Sequence, residues 1–127
     1  MLISKKGDII KIRGKEAGLE ISLSGAKIND FIIKGPGEYE IKNIFVEAIS
    51  QDVYVITLED TRICLLNKSK LSDKELEAVD NIDVLITDDQ GLIGEIEPSL
   101  VIFKKDIDKI TIKKRDLPKE GTKIWKP

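Results

Sequence analysis

The stretch Gly35-Pro36-Gly37-Glu38-Tyr39-Glu40-Ile41-Lys42-Asn43-Ile44-Phe45-Val46 limits what this chain can fold into more than any other. Gly35, Pro36 and Gly37 break regular structure, because glycine reaches backbone angles closed to other residues and proline removes an amide donor. On either side of Lys42-Asn43 a short run alternates apolar and polar residues, the period of a half-buried strand. Two such runs separated by two residues predict a tight hairpin, in which Asn43 tolerates the left-handed backbone that the turn requires.

Composition agrees with a sheet-rich core. The chain has 22 Ile and few aromatics (Phe 3, Tyr 2, Trp 1), and the β-branched Ile side chain favours pleated, half-buried surfaces. A length of 127 residues suits a single domain spanning residues 1–127. The net charge of −2 supplies no field that draws the molecule towards nucleic acid or anionic lipid. Cys64, the lone cysteine, sits in the strand-like run Thr61–Leu66 and reads as a small buried hydrophobe in a reducing compartment. Met1 to Lys6 lacks an apolar leader, and no apolar run approaches membrane-spanning length. The expectation is a soluble, cytoplasmic protein with no membrane partner.

Along the chain, Asp8 to Arg13 and Leu19 to Leu23 alternate with period two around a turn at Gly14 to Gly18, predicting a hairpin. A further strand is expected over Lys27 to Lys34. A second hairpin should join Val53–Leu58 to Thr61–Leu66 through Glu59-Asp60. Ser72 followed by Glu75 is a capping box, predicting a helix whose buried side holds Leu71, Leu76 and Val79. Val84-Leu85-Ile86 and Leu100-Val101-Ile102-Phe103 are continuous apolar runs, as in strands covered on both faces. Gly91 to Glu97 has room for about two helical turns before Pro98. Ile107–Lys114 and Thr122–Trp125 read as a closing strand pair around Asp116-Leu117-Pro118.

These pieces, in this order, resemble the metallo-β-lactamase fold hydrolases. The chain is similar to a shortened member of a small bacterial branch with a GPGEYE-type hairpin, Asn43 standing where that branch has glycine. The likeness runs from about Gly35 onward, through Tyr54–Leu66, Leu71–Leu85, Glu95–Ile102 and Ile110–Pro118, and more loosely over residues 1–23. It implies an α/β, mostly β fold: two packed β-sheets with one or two helices on an outer face, a reduced metallo-β-lactamase-like sandwich.

The resemblance also says where chemistry belongs. Family members bind one or two metals through an HxHxDH loop, a further histidine, a bridging aspartate and a final histidine, and the metal acidifies a water that attacks an ester, amide or phosphodiester. This chain has no histidine. Where the HxHxDH loop belongs it has Ser24-Gly25, and Glu47 to Gln51 offers no histidine either. Asn67 falls near the family's glycine, Lys68 at the bridging aspartate and Lys105 at the last histidine. An ammonium group repels a divalent cation and cannot ligate it unless deprotonated.

The candidate site residues are therefore vestigial: Asn67, Lys68, Asp88, Asp89 and Lys105. Asp88-Asp89 follow the strand Val84 to Thr87, and Lys68 or Lys105 is expected to pair with one of them, a salt bridge where a metal would be. The expected function is that of a non-catalytic domain without metal or other cofactor, acting by binding as a homodimer or on another protein. The dimer is expected through an apolar outer face of the N-terminal sheet carrying Ile10, Ile12, Ile21, Ile32 and Phe45. One rival is a metal-independent enzyme or anion-binding protein using Lys68, Lys105, Asp88 and Asp89. Another is a nucleic-acid or ribosome-associated protein, although Lys104-Lys105 and Lys113-Lys114-Arg115 lack the interleaved aromatics of such surfaces and read as solvated strand edges.

Overall fold

The computed structural model describes residues 1–88 and 90–127. Strands β1 (Leu2–Lys6), β2 (Ile9–Arg13), β3 (Gly18–Ser22), β4 (Gly25–Ile28) and β5 (Phe31–Ile33) form an antiparallel meander. Strand β12 (Lys109–Thr111) pairs with β1, giving a six-stranded sheet in the order β12-β1-β2-β3-β4-β5. The second sheet contains β6 (Gly37–Ile41), β7 (Ile44–Ser50), β8 (Val53–Leu58), β9 (Thr61–Leu66), β10 (Val84–Thr87), β11 (Leu100–Phe103) and β13 (Lys123–Ile124). Its order is β13-β11-β10-β9-β8-β7-β6. The hairpins β6–β7 and β8–β9 are antiparallel, whereas β9, β10, β11 and β13 run parallel. The crossovers carry α1 (Asp73–Ala78) and α2 (Ile93–Ile96).

Period two explains the layers. On the second sheet Ile63, Leu65, Val84, Ile86, Leu100 and Ile102 belong to the core between the sheets. The intervening Cys64, Leu66, Leu85 and Val101 meet Val79, Ile82, Leu92 and Ile96 beneath the helices. Both faces of β9–β11 are covered, which is why their sequences are continuously apolar. The first sheet is covered on one face, and there the strands alternate: Ile10, Ile12 and Ile21 point inward and are buried. Lys11, Glu20 and Lys27 form a charged ladder on the outer face, both lysines standing 3.6 Å from the Glu20 carboxylate. That corrects the expected apolar outer patch. Ile10, Ile12 and Ile21 are core residues, Phe45 is half-buried on the second sheet, and Ile32 alone stays exposed.

The hairpin turns fall where the sequence places them, with positive φ at Lys42, Asn43, Glu59 and Asp60. Gly35 (φ 85°) and Gly37 (φ 149°) let the chain step from the edge of one sheet to the edge of the other. In α1 the capping box is formed: the Ser72 hydroxyl accepts from the Glu75 amide at 3.2 Å, and the Glu75 carboxylate accepts from the Ser72 amide at 2.9 Å.

Three expectations need correction. Lys27–Lys34 is two strands, because Asn29 adopts φ 51° and turns the chain between β4 and β5. The α2 segment is a single turn, stopped at Glu97 in the left-handed region before Pro98. The expected closing pair does not form: β12 joins β1 in the first sheet, and β13 joins β11 in the second. Two open edges, each offering unpaired backbone groups, win over the local hairpin. Among the described residues no helix is long and apolar enough to cross a membrane.

Candidate functional site

The parallel strands β9, β10 and β11 end side by side, and the residues just beyond them form a rim above the inter-sheet core. Strand parity decides which side chains enter it. Asn67 continues the inward set Ile63 and Leu65, Asp88 continues Val84 and Ile86, and Lys104 continues Leu100 and Ile102. The three meet. The Lys104 ammonium donates to Asn67 Oδ1 in a short contact and to Asp88 Oδ2 at 3.3 Å. The Lys104 side chain is 11% exposed and that of Asp88 67%. The lysine is thus held almost inside the protein while its counter-charge stays in water.

Beneath this rim lies a cleft of about 280 Å³ between the sheets, with Ile10, Ile21 and Leu65 in its walls and Lys5 and Asp8 at its margin. Lys5 of β1 reaches across and donates to the Lys104 main-chain oxygen at 3.3 Å, so both sheets contribute polar contacts to one mouth.

The other expected site residues are placed differently. Lys68 has the opposite parity, points to the helix side and pairs with the Glu75 carboxylate at 2.6 Å. This contact, then the Ser72 amide, lowers the Glu75 pKa to about 2. Lys105 is exposed and makes no ion pair among the described residues. Asp89 lies outside them. The expected partner of Lys68 or Lys105 is Asp88 or Asp89; at Asp88 the partner is Lys104 instead, and any pairing with Asp89 lies outside the described residues. Lys104 is also no solvated strand edge: a 3₁₀ turn at Lys104–Asp106 follows β11, and inward parity turns its side chain into the cleft. The signal was present in the sequence, since Leu100, Ile102 and Lys104 share one face of an extended run.

Two further titratable groups in the sheet are shifted by burial. The Cys64 thiol is pushed up to about 12, which makes it a poor nucleophile. The Tyr54 hydroxyl is raised by burial first, then by the Asp52 and Tyr39 charges.

The architecture matches a solved structure. A crystal structure from Thermotoga maritima, provisionally described as a Zn-dependent hydrolase of the metallo-β-lactamase superfamily, superposes with a TM-score of 0.59. The match covers 97% of this chain and 96% of that one at 12% sequence identity. The fold of this protein is accordingly metallo-β-lactamase-like, a small β-rich sandwich. No protein-family model matches the sequence, and no curated protein matches it.

Proposed function

We propose that this chain is a non-catalytic domain of metallo-β-lactamase fold, in which Lys104 occupies the rim that hydrolases of that fold devote to metal. The observation that carries the proposal is the Lys104 ammonium seated against Asn67 and Asp88 at the ends of β9, β10 and β11. The donor set does not suit a divalent cation. The sequence offers no imidazole, and among the described residues no cluster of three or more Cys, Asp or Glu side chains converges. The oxygens of Asn67 and Asp88 already face a positive charge, which a metal would have to displace. On this reading the rim is a cross-link and the protein acts by binding, as a homo-oligomer or on another protein.

A second reading, a small-anion site in the cleft, has its own support in the two ammonium groups at the mouth, Lys5 and Lys104. Asp8 and Asp88 beside them oppose it.

Elemental analysis of protein purified without chelators tests the proposal. The expected content of zinc, iron and manganese is far below one atom per chain. A ratio near one that disappears in Asp88→Asn would overturn it, because the rim would then hold metal in spite of Lys104.

A further inference from the structure

We infer that the edge strand β5 is a self-pairing surface, on which a second copy of this chain adds antiparallel to make a continuous twelve-stranded sheet (six strands from each copy). This rests on the oligomeric part of the reading above and gives it a place on the molecule.

The first argument is backbone parity. The two-residue turn between β3 and β4 closes on the Ser22–Gly25 pair, so Glu20 and Lys27 form the next hydrogen-bonded pair. The amides and carbonyls of Ala26 and Ile28 then face β5, where they meet Ile33 and Phe31. Ile32, opposite Lys27, is left with its N–H and C=O pointing away from the sheet. Among the described residues no backbone partner for Ile32 lies outside the ladder.

The second argument is the side chains. Ile32 is 60% exposed and Phe31 48%, two of the three exposed large hydrophobic residues among the described residues. Tyr39 packs against Phe31 with ring centroids 6.1 Å apart and planes tilted by 54°. Its hydroxyl donates to the Lys34 and Gly35 carbonyls, which holds the end of β5 in place.

The third argument is charge, and it selects the occupant. Pairing β5 with itself about a two-fold axis at Ile32 sets Ile32 against its copy. It also sets Phe31 against Ile33 of the second chain, and Asp30 against Lys34 of the second chain. Asp30 and Lys34 are exposed and have no ion-pair partner among the described residues. The segment Asp30-Phe31-Ile32-Ile33-Lys34 is thus complementary to itself in charge and in apolar contact. The other edges are not. Self-pairing of β6 about Tyr39 sets Glu38 against Glu40, while β12 and β13 are short and each begins with a lysine, Lys109 and Lys123. With two backbone hydrogen bonds, two ion pairs and few apolar contacts, the dimer is weak and reversible.

The test is a charge swap read by sedimentation velocity over a wide dilution series at low salt. The wild-type chain is expected to move from 14.2 kDa towards twice that mass as concentration rises. Asp30→Lys and Lys34→Asp each set like charges together at both symmetric contacts, and each should weaken association about tenfold or more. The double variant Asp30→Lys/Lys34→Asp restores complementarity and should recover the dimer. Both positions are exposed, so circular dichroism should report native folding throughout. A monomer at every concentration would overturn this surface and the homo-oligomeric reading together. A dimer indifferent to the single reversals, or one that the double variant fails to restore, would overturn this surface alone.

Discussion

Asp88→Asn should cost more stability than Lys104→Met, although Asp88 is the exposed partner. The Lys104 side chain is largely buried, with Asn67 and Asp88 as acceptors for its ammonium. Neutralising Asp88 leaves a partly buried charge with one neutral acceptor. A hydrogen bond to a charged group contributes about 1.5–3 kcal/mol, and solvent around Asp88 reduces this, so we expect a loss of about 1–2 kcal/mol. Lys104→Met keeps the length of the side chain and removes the charge. Its lost contacts are offset by relief of burial, leaving the variant within about 1 kcal/mol of wild type. In the Lys104→Met background Asp88→Asn should then cost almost nothing, giving a coupling of about 1–2 kcal/mol in a double-mutant cycle. Urea denaturation of the four proteins at neutral pH measures it, and thermal melts should show the Asp88→Asn loss as about 4–8 °C. If the two changes add with no coupling, or if Lys104→Met is the more damaging, the rim is not organised around a buried ammonium.

Acid should weaken the Glu75 contact. Its carboxyl is depressed from 4.5 to about 2, chiefly by Lys68, so its contribution is complete above pH 4.5 and is lost as pH falls towards 2. After allowance for solvent screening we expect about 1 kcal/mol, visible as a flatter acid limb in urea titrations of Glu75→Gln. An acid limb identical to wild type would remove Lys68–Glu75 from the account of stability. Cys64 is fully buried, with its thiol pushed up to about 12, so aromatic disulfide reagents should label it only as fast as the native state opens. Rapid stoichiometric labelling without denaturant would contradict that packing.

Much of this fold was legible because local and tertiary preferences agreed. Lys42-Asn43 and Glu59-Asp60 sit between alternating runs, and both turns form. Ser72 and Glu75 cap each other, and the helix starts there. Reading failed where a long-range contact outweighed the local pattern. Ile107–Lys114 and Thr122–Trp125 look like a hairpin until two separate sheet edges compete for them. At the site, the resemblance pointed to Lys105, one residue beyond the lysine that enters the rim. Alternation along Leu100, Ile102 and Lys104 carries the right answer, because an extended chain cannot aim two consecutive side chains at one cleft. The same parity sends Lys68 to α1, where the capping glutamate receives it.

On the reading proposed above, the rim and the β5 edge suggest how such a fold could persist with an ammonium group at its strand ends. Three parallel strands ending together put the polar groups of Asn67 and Asp88 above an apolar core, where the Lys104 ammonium meets both. An ammonium group with three donors can satisfy Asn67 and Asp88, and its four-carbon stem can lie along apolar wall while the head stays polar. Lys5, reaching from β1 to the Lys104 main chain, ties the first sheet to the same point. On this reading the inter-sheet mouth is held as a structural joint, independent of any bound ion. What the first sheet then offers is its uncovered side: a charged ladder of Lys11, Glu20 and Lys27, ending at the β5 edge, where the Ile32 amide and carbonyl point away from the sheet and meet no backbone partner among the described residues. The ladder keeps the face in water, and on the proposed reading the edge is left to pair with a second copy.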